Sequence, residues 1–262
     1  KSDGKAVLNI DSDWGEKLRE ILETHGIKKL TVGTHSSSDL RILGQKFNGD
    51  GQELKFSYNN TTYQITSELI GGFQAYNILL AAGLAISTGG KPADIFQALH
   101  AIKTIRGRMQ RVADLSNGAS VYVDFAHTPA AIEVAIKSIR PHILGKVSII
   151  IGAGGDRDHT KRQFMGAVAQ KYADSVYITD DNPRNEDPKR IRSMIKFGAP
   201  KALEISDRAE AILAGVSSLE AGDVLLITGK GHETGQIIGD SVLDFDDAEQ
   251  ANIVVSALEG AI

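Results

Sequence analysis

The pattern of hydrophobic and polar positions divides the chain into two parts. Before residue 104, apolar strand-like runs alternate with one helical segment, and three segments of alternating polarity follow, separated by the turn sequences NGDG and NN. Two helical segments come next, and Pro92 opens the second of them. The predicted strands are residues 7–10, 30–32, 42–47, 53–58 and 62–66, and the predicted helices are residues 14–25, 73–88 and 92–102.

From residue 121 onward, strands and helices alternate regularly. The runs VYVDF, VSIII, SVYIT, ALEIS and VLLIT are apolar throughout, which is typical of parallel strands that are covered on both faces. The predicted helices between and after them are residues 129–140, 161–172, 188–197, 208–219 and 246–258. The sequence therefore predicts an α/β protein whose second domain is a doubly wound, mostly parallel sheet. The basic stretch at 104–112 is predicted to be a hinge between domains.

Composition excludes several classes of partner and site. The 29 basic and 33 acidic residues give a net charge of −4, which offers no general reason to expect nucleic acid or an anionic membrane. The absence of cysteine excludes a disulfide framework and a thiolate metal site, and it agrees with a cytoplasmic location. The longest apolar run, residues 78–86, is far shorter than the roughly 20 residues of a membrane span. The histidines show no metal-ligand spacing such as HExxH.

Three loops carry most of the candidate chemistry. They are GAGGDRDHTKR at 152–162, DNPRNEDP at 181–188 and GKGHE at 229–233, and each follows an apolar strand. Loops at the carboxyl ends of parallel strands form the ligand crevice of an open α/β sheet. Because these loops combine arginines, carboxylates, an asparagine and glycines, they suit a zwitterionic amino acid better than a bare phosphate.

The DNPR segment is the most informative of the three. Pro183 keeps Asn182 out of the helical region, so we expect the chain to leave the strand extended, with Asn182 and Arg184 facing the same way. Such a pair can hold a carboxylate by an amide hydrogen bond and a charge-assisted fork. A helix cap at Asp187, followed by Pro188 in the first turn, explains the end of the segment but leaves Arg184 unexplained.

The other two loops have competing interpretations. Arg157 stands where a dinucleotide-binding GxGxxG sequence needs its third glycine, so this loop is either a tight glycine turn or a place where Arg157 meets a carboxylate or phosphate. Lys230 is followed by Gly231 rather than by Ser or Thr, and the chain contains no P-loop. Glu233 could pair with an ammonium group, although a lone glutamate in a loop is more often solvated.

Two further polar positions have both a structural and a functional interpretation. Asp124 and His127 follow a strand and could contact a ribose and a phosphate, or the segment could be a helix entry with Thr128 as its cap. Asn77 lies in the apolar helical sequence AYNILLAAG, where a satisfied buried amide is the simpler interpretation.

Taken together, these motifs resemble a known family. AYNILLAAGLA, GRMQRV, VYVDFAHTP, GAGGDRDHTKR, DNPRNEDP and TGKGHE occur in the order seen in the Mur ligases of peptidoglycan synthesis, and the resemblance covers nearly the whole chain. DNPR resembles the sequence typical of members that add meso-diaminopimelate. Members that add lysine typically lack the arginine found here at Arg184.

The resemblance implies both a domain organisation and a set of site residues. Residues 1–105 would be the last portion of a central ATPase domain, and residues 106–262 a Mur ligase C-terminal domain with a dinucleotide-binding-like fold. The implied contributors to the ATP site are Asn77, Arg108, Asp124 and His127. The implied diaminopimelate pocket consists of Arg157, Asp181, Asn182, Pro183, Arg184, Gly229 and Glu233.

The resemblance also implies a reaction. ATP would activate the D-glutamate carboxylate of UDP-N-acetylmuramoyl-L-alanyl-D-glutamate as an acyl phosphate, and the amine of meso-diaminopimelate would attack it, in a cytoplasmic monomer. Family members carry a UDP-sugar-binding domain, phosphate loops and Mg²⁺ ligands that this sequence lacks, so we expect a fragment that is inactive alone. The alternatives are a non-catalytic amino-acid-binding module, another Mur or folylpolyglutamate-type ligase, against which DNPR argues, and, more distantly, a dinucleotide-binding oxidoreductase.

Overall fold

The computed structural model describes residues 4–260 of the chain, which form two compact units. The first unit extends to Lys103 and the second begins at Thr104. Within the described range, no helix is both long enough and apolar enough to cross a membrane.

The first unit is a five-stranded sheet covered by helices. Its strands are β1 (Lys5–Asn9), β2 (Lys28–Gly33), β3 (Leu40–Asn48), β4 (Gly51–Tyr58) and β5 (Thr61–Ser67), and they neighbour one another in that order. The first three strands are parallel, and the β3–β4 and β4–β5 pairs are antiparallel. Its helices are α1 (Gly15–Thr24), α2 (Gln74–Ser87) and α3 (Pro92–Ala98), followed by a 3₁₀ turn at Leu99–Ala101.

Helix α2 packs closely against the sheet of the first unit. Ile78, Leu79 and Ala82 are buried on its inner side. A Cβ atom at Gly83 would lie 2.8 Å from a side-chain carbon of Val7, so a glycine at this position allows the helix to approach the strands. The apolar side of α2 therefore forms part of the hydrophobic core of this unit.

The second unit is a six-stranded sheet with helices and a hairpin. Its strands are β6 (Gln110–Asp114), β7 (Ser120–Asp124), β8 (Val147–Ile151), β9 (Ser175–Ile178), β10 (Leu203–Glu204) and β11 (Val224–Thr228), in the order β10-β9-β8-β11-β7-β6. Its helices are α4 (Pro129–Ile139), α5 (Arg162–Tyr172), α6 (Pro188–Gly198), α7 (Arg208–Ser217) and α8 (Asp247–Leu258). The hairpin consists of β12 (Gly235–Ile238) and β13 (Ser241–Asp244).

The connections of this sheet place a layer of helices on each of its faces. Strands β7 to β10 advance in one direction across the sheet and the chain then returns to β11, so right-handed crossovers place α7 on the face opposite to α4, α5 and α6. Helix α8 packs against α7. Every residue of β8 and β11 is buried, as expected for central strands. The α/β fold class with a doubly wound second domain is confirmed.

One predicted element is right at its start and wrong at its end. The stretch 104–112 is predicted to be a hinge between domains, and the second unit begins at Thr104, but Gln110–Asp114 forms β6, an edge strand antiparallel to β7. An edge strand pairs with a neighbouring strand along one edge only, and its other edge faces solvent. It therefore tolerates exposed charged side chains such as Arg111. A bulge between Arg111 and Ala113 also interrupts the strict alternation by which a strand is recognised in sequence.

Candidate functional site

A cavity of about 290 Å³ lies at the carboxyl ends of the parallel strands of the second unit. It is bounded by the loops that follow β7, β8, β9 and β11. The loop after β8 leads to α5 on one face of the sheet, whereas the neighbouring β11 leads on to α8 on the other, which is where open α/β sheets form a ligand crevice. The lining residues are Phe125, His127, Gly152, Ala153, Gly154, Arg157, Lys161, Asp181, Asn182, Arg184, Gly229 and Glu233.

Several interactions join the loop after β8 to the loop after β9. The N–H of Gly155 donates to the carbonyl of Asn182 at 2.9 Å, and a Cβ at Gly155 would lie 1.9 Å from the carbonyl oxygen of Pro183. The fully buried Arg162 donates to the carbonyl of Gly154 at 3.1 Å and forms two bonds of 2.5 and 2.7 Å with the Glu186 carboxylate. The glycines therefore permit a close approach of the two loops, and Arg162 maintains it.

Asn182 is the most constrained polar side chain of the cavity. Its Oδ1 accepts hydrogen bonds from Lys230 Nζ and from the Ile237 N–H, both at 2.9 Å. Its Nδ2 donates to Glu233 Oε2 at 2.8 Å. Glu233 is partly buried by this contact, so the interpretation of a freely solvated loop glutamate is wrong.

Arg184 has an unusual backbone conformation. Its φ of 52° lies in the left-handed region, so the expectation of an extended segment that turns Asn182 and Arg184 the same way is wrong at this residue. The hairpin β12–β13 holds the conformation, because the Arg184 N–H donates to Ile237 O at 3.0 Å and the Gly239 N–H donates to Arg184 O at 2.8 Å. The guanidinium still lines the cavity, with Nη1 donating to Gly155 O at 3.0 Å. Backbone strain of this kind persists where surrounding structure enforces it, often at functional sites.

Charged groups of both signs surround the cavity. Arg157, Lys161 and Arg184 contribute cations, and Asp181 and Glu233 contribute carboxylates. Arg157 is exposed at the rim, where its Nη1 donates to the neighbouring Asp156 carbonyl at 3.3 Å. This mixture of charges is complementary to a zwitterion.

Asp181 and Gly229 contact each other at the base of the site. Asp181 is only 7% exposed, and Gly229 has a φ of 113°. A Cβ at Gly229 would lie 2.5 Å from Asp181 Oδ2, so no other residue type fits without a shift. Pro183 is buried but does not line the cavity. The structure thus brings together all the residues of the expected amino-acid pocket except Pro183.

The residues expected to contact ATP are divided between the two units. In the second unit, Asp124 accepts hydrogen bonds from the N–H groups of Met109 and Ala126, each at 2.8 Å. Burial raises the pKa of the Asp124 carboxyl, although these N–H groups and the nearby Arg108 oppose the shift. His127 is exposed and lines the cavity.

Arg108 and Asn77 complete the expected set. The Arg108 guanidinium lies 4.6 Å from the ring centre of Phe125, a cation–π distance. Asn77 lies on α2 in the first unit, where it is exposed and donates to Gln74 Oε1 at 3.0 Å. The interpretation of Asn77 as a buried, satisfied amide is therefore wrong.

The local structural roles expected for two polar residues are confirmed. Thr128 caps α4 by accepting from the Ala131 N–H, and Asp187 caps α6 by accepting from the Lys189 N–H. Within residues 4–260, no group of three or more His, Asp or Glu side chains could hold a metal ion.

Sequence reasoning missed Lys161 and Lys230. Lys161 stands at the N-cap position of α5 and lines the cavity. The GKGHE sequence drew attention to Lys230, but only to exclude a P-loop. Its complete burial depends on the hairpin packed over it, which the spacing of residues does not reveal.

Comparison with known proteins gives these features a context. Residues 107–231 match the Mur ligase glutamate ligase domain, and residues 1–85 match the Mur ligase middle domain. A curated UDP-N-acetylmuramoyl-L-alanyl-D-glutamate–2,6-diaminopimelate ligase from Zymomonas mobilis is 42% identical over 257 residues, covering 97% of this chain and 53% of that protein. The ligase of the same name from Rickettsia typhi is 45% identical over 251 residues, covering 94% of this chain and 50% of that protein.

Solved structures agree with the sequence relatives. A structure of a ligase with that same name aligns with a TM-score of 0.68 at 30% identity, over 97% of this chain and 53% of the other. The MurF ligase from Thermotoga maritima in complex with ADP shares the fold at 18% identity and a TM-score of 0.68, over 100% and 55%. The chain spans about half the length of the curated relatives it matches. With two successive family domains in their proper order, the chain belongs to the Mur ligase family.

Proposed function

We propose that this chain is part of an ATP-dependent ligase of peptidoglycan precursor synthesis. The ligase joins meso-2,6-diaminopimelate to UDP-N-acetylmuramoyl-L-alanyl-D-glutamate, and the cavity of the second unit binds the amino acid. The observation that carries the proposal is the presence of arginines, an amide and carboxylates around one cavity at the carboxyl ends of the strands. The proposal places the enzyme in the cytoplasm, as a monomer.

The chemistry of diaminopimelate suits this arrangement. Each end of the molecule carries an ammonium and a carboxylate. Arg157 and Arg184 can pair with a carboxylate, Asn182 can donate to it, and Asp181 and Glu233 can accept from an ammonium. Lysine lacks the second carboxylate and would leave an arginine unpaired in a partly buried site. The penalty of about 1–3 kcal/mol corresponds to a preference of roughly 5- to 150-fold for diaminopimelate.

One residue that lines the same cavity, His127, belongs to the set expected to contact ATP. His127 lines the cavity beside Phe125, whose ring contacts the Arg108 guanidinium. We assign Arg108, Asp124 and His127 of the second unit to ATP, and Asn77 of the first unit stays a prediction of the family resemblance. An amine held in the cavity would then lie near the acyl phosphate formed from ATP. Catalysis on this basis is chiefly positioning of the amine and stabilisation of charge. None of the described residues is assigned to Mg²⁺.

The test is a backbone-amide NMR titration of this chain with meso-diaminopimelate and, separately, with L-lysine, both at millimolar concentration. We expect diaminopimelate to shift resonances of residues 152–158, 181–187 and 229–233, and lysine to act at least about fivefold more weakly. Arg184→Met should abolish that preference. Arg190→Met removes the same charge from an exposed position outside the cavity and should preserve it. Equal responses to the two amino acids, or none to either in the folded chain, would contradict the assignment.

A further inference from the structure

Lys230 is completely buried beside the cavity, without a direct ion-pair partner among the described residues. Its exposure is 0%, and its Nζ donates to two neutral oxygens, Asn182 Oδ1 at 2.9 Å and Gly235 O at 2.7 Å. Burial lowers the pKa of Lys230, and the negative charge of Asp181 opposes that shift. A buried ammonium is expensive, and an apolar side chain would fill the same space at lower cost. Packing alone therefore does not account for a lysine here.

The hydrogen bonds of Asn182 have a single consistent polarity. The ammonium of Lys230 and the backbone N–H of Ile237 can only donate, so the amide oxygen of Asn182 must face them. The carboxylate of Glu233 accepts, so the amide nitrogen must face Glu233 and the cavity. The two possible orientations of an asparagine amide are thus distinguished by the chemistry of its partners. The bond to Glu233 uses one N–H of Nδ2 and leaves the second for a ligand.

We propose that Lys230 is a positioning residue of the cavity: it orients the side-chain amide of Asn182 so that the NH₂ group faces the ligand. Because this group is a hydrogen-bond donor, Asn182 then selects a carboxylate over an ammonium. The proposal rests on the proposed function, since it concerns recognition of the same amino acid. Through Asn182, Lys230 also fixes the carboxylate of Glu233. The positive charge of Lys230 also offsets the negative charges of Asp181 and Glu233, which would otherwise repel a carboxylate ligand.

A purely structural role has a different signature. Through its bond to Gly235 O, Lys230 also attaches the loop after β11 to the hairpin β12–β13. If that attachment were its whole function, a substitution would lower stability without changing the orientation of the Asn182 amide. The experiment must therefore observe the amide itself as well as ligand binding.

The experiment compares the unaltered chain with Lys230→Met, which is similar in size but donates no hydrogen bond, and with Lys230→Arg, which keeps the charge and the donors. Lys201→Met removes a surface lysine and is the matched control. In the unaltered chain we expect nuclear Overhauser effects from the Asn182 Nδ2 protons to Glu233, together with a scalar coupling through the hydrogen bond between the Ile237 N–H and the side-chain carbonyl of Asn182. In Lys230→Met, where only the Ile237 N–H still donates to Asn182 Oδ1, we expect that pattern to be weakened, faster exchange of the Nδ2 protons with water, and at least about tenfold weaker binding of meso-diaminopimelate. Lys230→Arg should restore part of the binding.

The outcomes separate the inference from the proposed function. If the unaltered chain does not bind diaminopimelate, the proposed function fails, and the amide measurements still decide whether Lys230 orients Asn182. If Lys230→Met keeps both the amide pattern and the affinity, the inference is overturned while the proposed function stands. If Lys230→Met does not fold, the unaltered chain decides, because a folded chain without the coupling between the Ile237 N–H and the side-chain carbonyl of Asn182 would overturn the inference.

Discussion

The buried pair Arg208–Asp247 allows a stability prediction that is independent of any ligand. Arg208 begins α7, Asp247 begins α8, and both side chains are 0% exposed. Arg208 Nε and Nη2 donate to the two carboxylate oxygens at 2.6 and 2.7 Å, and Nη2 also donates to Thr228 O at 2.9 Å, at the end of β11. We expect Asp247→Asn to destabilise the second unit by about 3–5 kcal/mol.

The magnitude follows from what the substitution leaves behind. An asparagine offers one acceptor instead of two and would turn its NH₂ group towards a donor of Arg208. The guanidinium cannot lose its proton, so an uncompensated charge remains in the interior. The pair is also incompletely satisfied, because Arg208 Nη1 is buried without a partner among the described residues. Replacing both members with apolar residues, as in Arg208→Met with Asp247→Leu, is therefore expected to cost less than about 2 kcal/mol.

The assay is urea unfolding followed by NMR signals of residues in the second unit, because the two units need not unfold together. Linear extrapolation gives the free energy of unfolding of Asp247→Asn, of the singles Arg208→Met and Asp247→Leu, and of the double variant, and the last three close a double-mutant cycle with the unaltered chain. A loss below about 1 kcal/mol for Asp247→Asn, or a double variant as unstable as the single one, would refute the reasoning about the buried charge.

Two further predictions concern the site and its supporting sheet. Gly229→Ala should weaken diaminopimelate binding at least about tenfold and destabilise the second unit by about 1–3 kcal/mol, because its φ is 113° and the added Cβ would lie 2.5 Å from Asp181 Oδ2. Burial raises the pKa of the Asp174 carboxyl, but hydrogen bonds from Val147 N–H and Arg140 outweigh it, so the pKa lies below its ordinary value. Asp174→Asn should therefore lower the free energy of unfolding by about 1 kcal/mol near pH 7, a figure already reduced for the partial exposure of Asp174. This difference between the two proteins should vanish as the pH falls through the lowered pKa of Asp174.

Each of these two predictions has its own check. For Gly229, the control is Gly118→Ala, which has a φ of 83° but open space around its added Cβ, so it should be destabilising without weakening binding. Unchanged affinity in Gly229→Ala would contradict the assigned close contact. For Asp174, urea unfolding is measured across acidic and neutral pH in both proteins. If the difference in free energy of unfolding between the two proteins stayed constant with pH, the charge of the Asp174 carboxylate would not contribute to stability, and the prediction would be wrong.

Sequence reasoning predicted the fold well because buried parallel strands have a strong signal. Runs such as VSIII and VLLIT are apolar throughout, and the helices between them are marked by capping residues such as Asp187. The edge strand β6 lacks this signal, because one of its edges faces solvent and a bulge interrupts its alternation of apolar and polar residues. Strong local patterns were thus sufficient for the central elements and insufficient at the edge.

The residue types of the cavity were predictable, whereas their orientations were not. The position of a loop after a strand places its side chains at one end of the sheet, and this brought Arg157, Asn182 and Glu233 together as expected. The left-handed backbone of Arg184 depends instead on the hairpin β12–β13, which lies far from it along the chain, and the burial of Lys230 depends on the same hairpin packing back over the loop after β11. Contacts of this kind arise from tertiary packing and leave no periodic trace in sequence.

The attachment of the hairpin to the DNPR loop has an evolutionary consequence. Ile237 and Gly239 form hydrogen bonds with the backbone of Arg184, yet neither residue lines the cavity. A lineage that exchanged its amino-acid substrate by altering Arg184 would also lose the reason for a left-handed backbone at that position. We expect such lineages to show paired changes, one in the loop and one in the hairpin, so that substrate range is inherited through two separate segments that must change together.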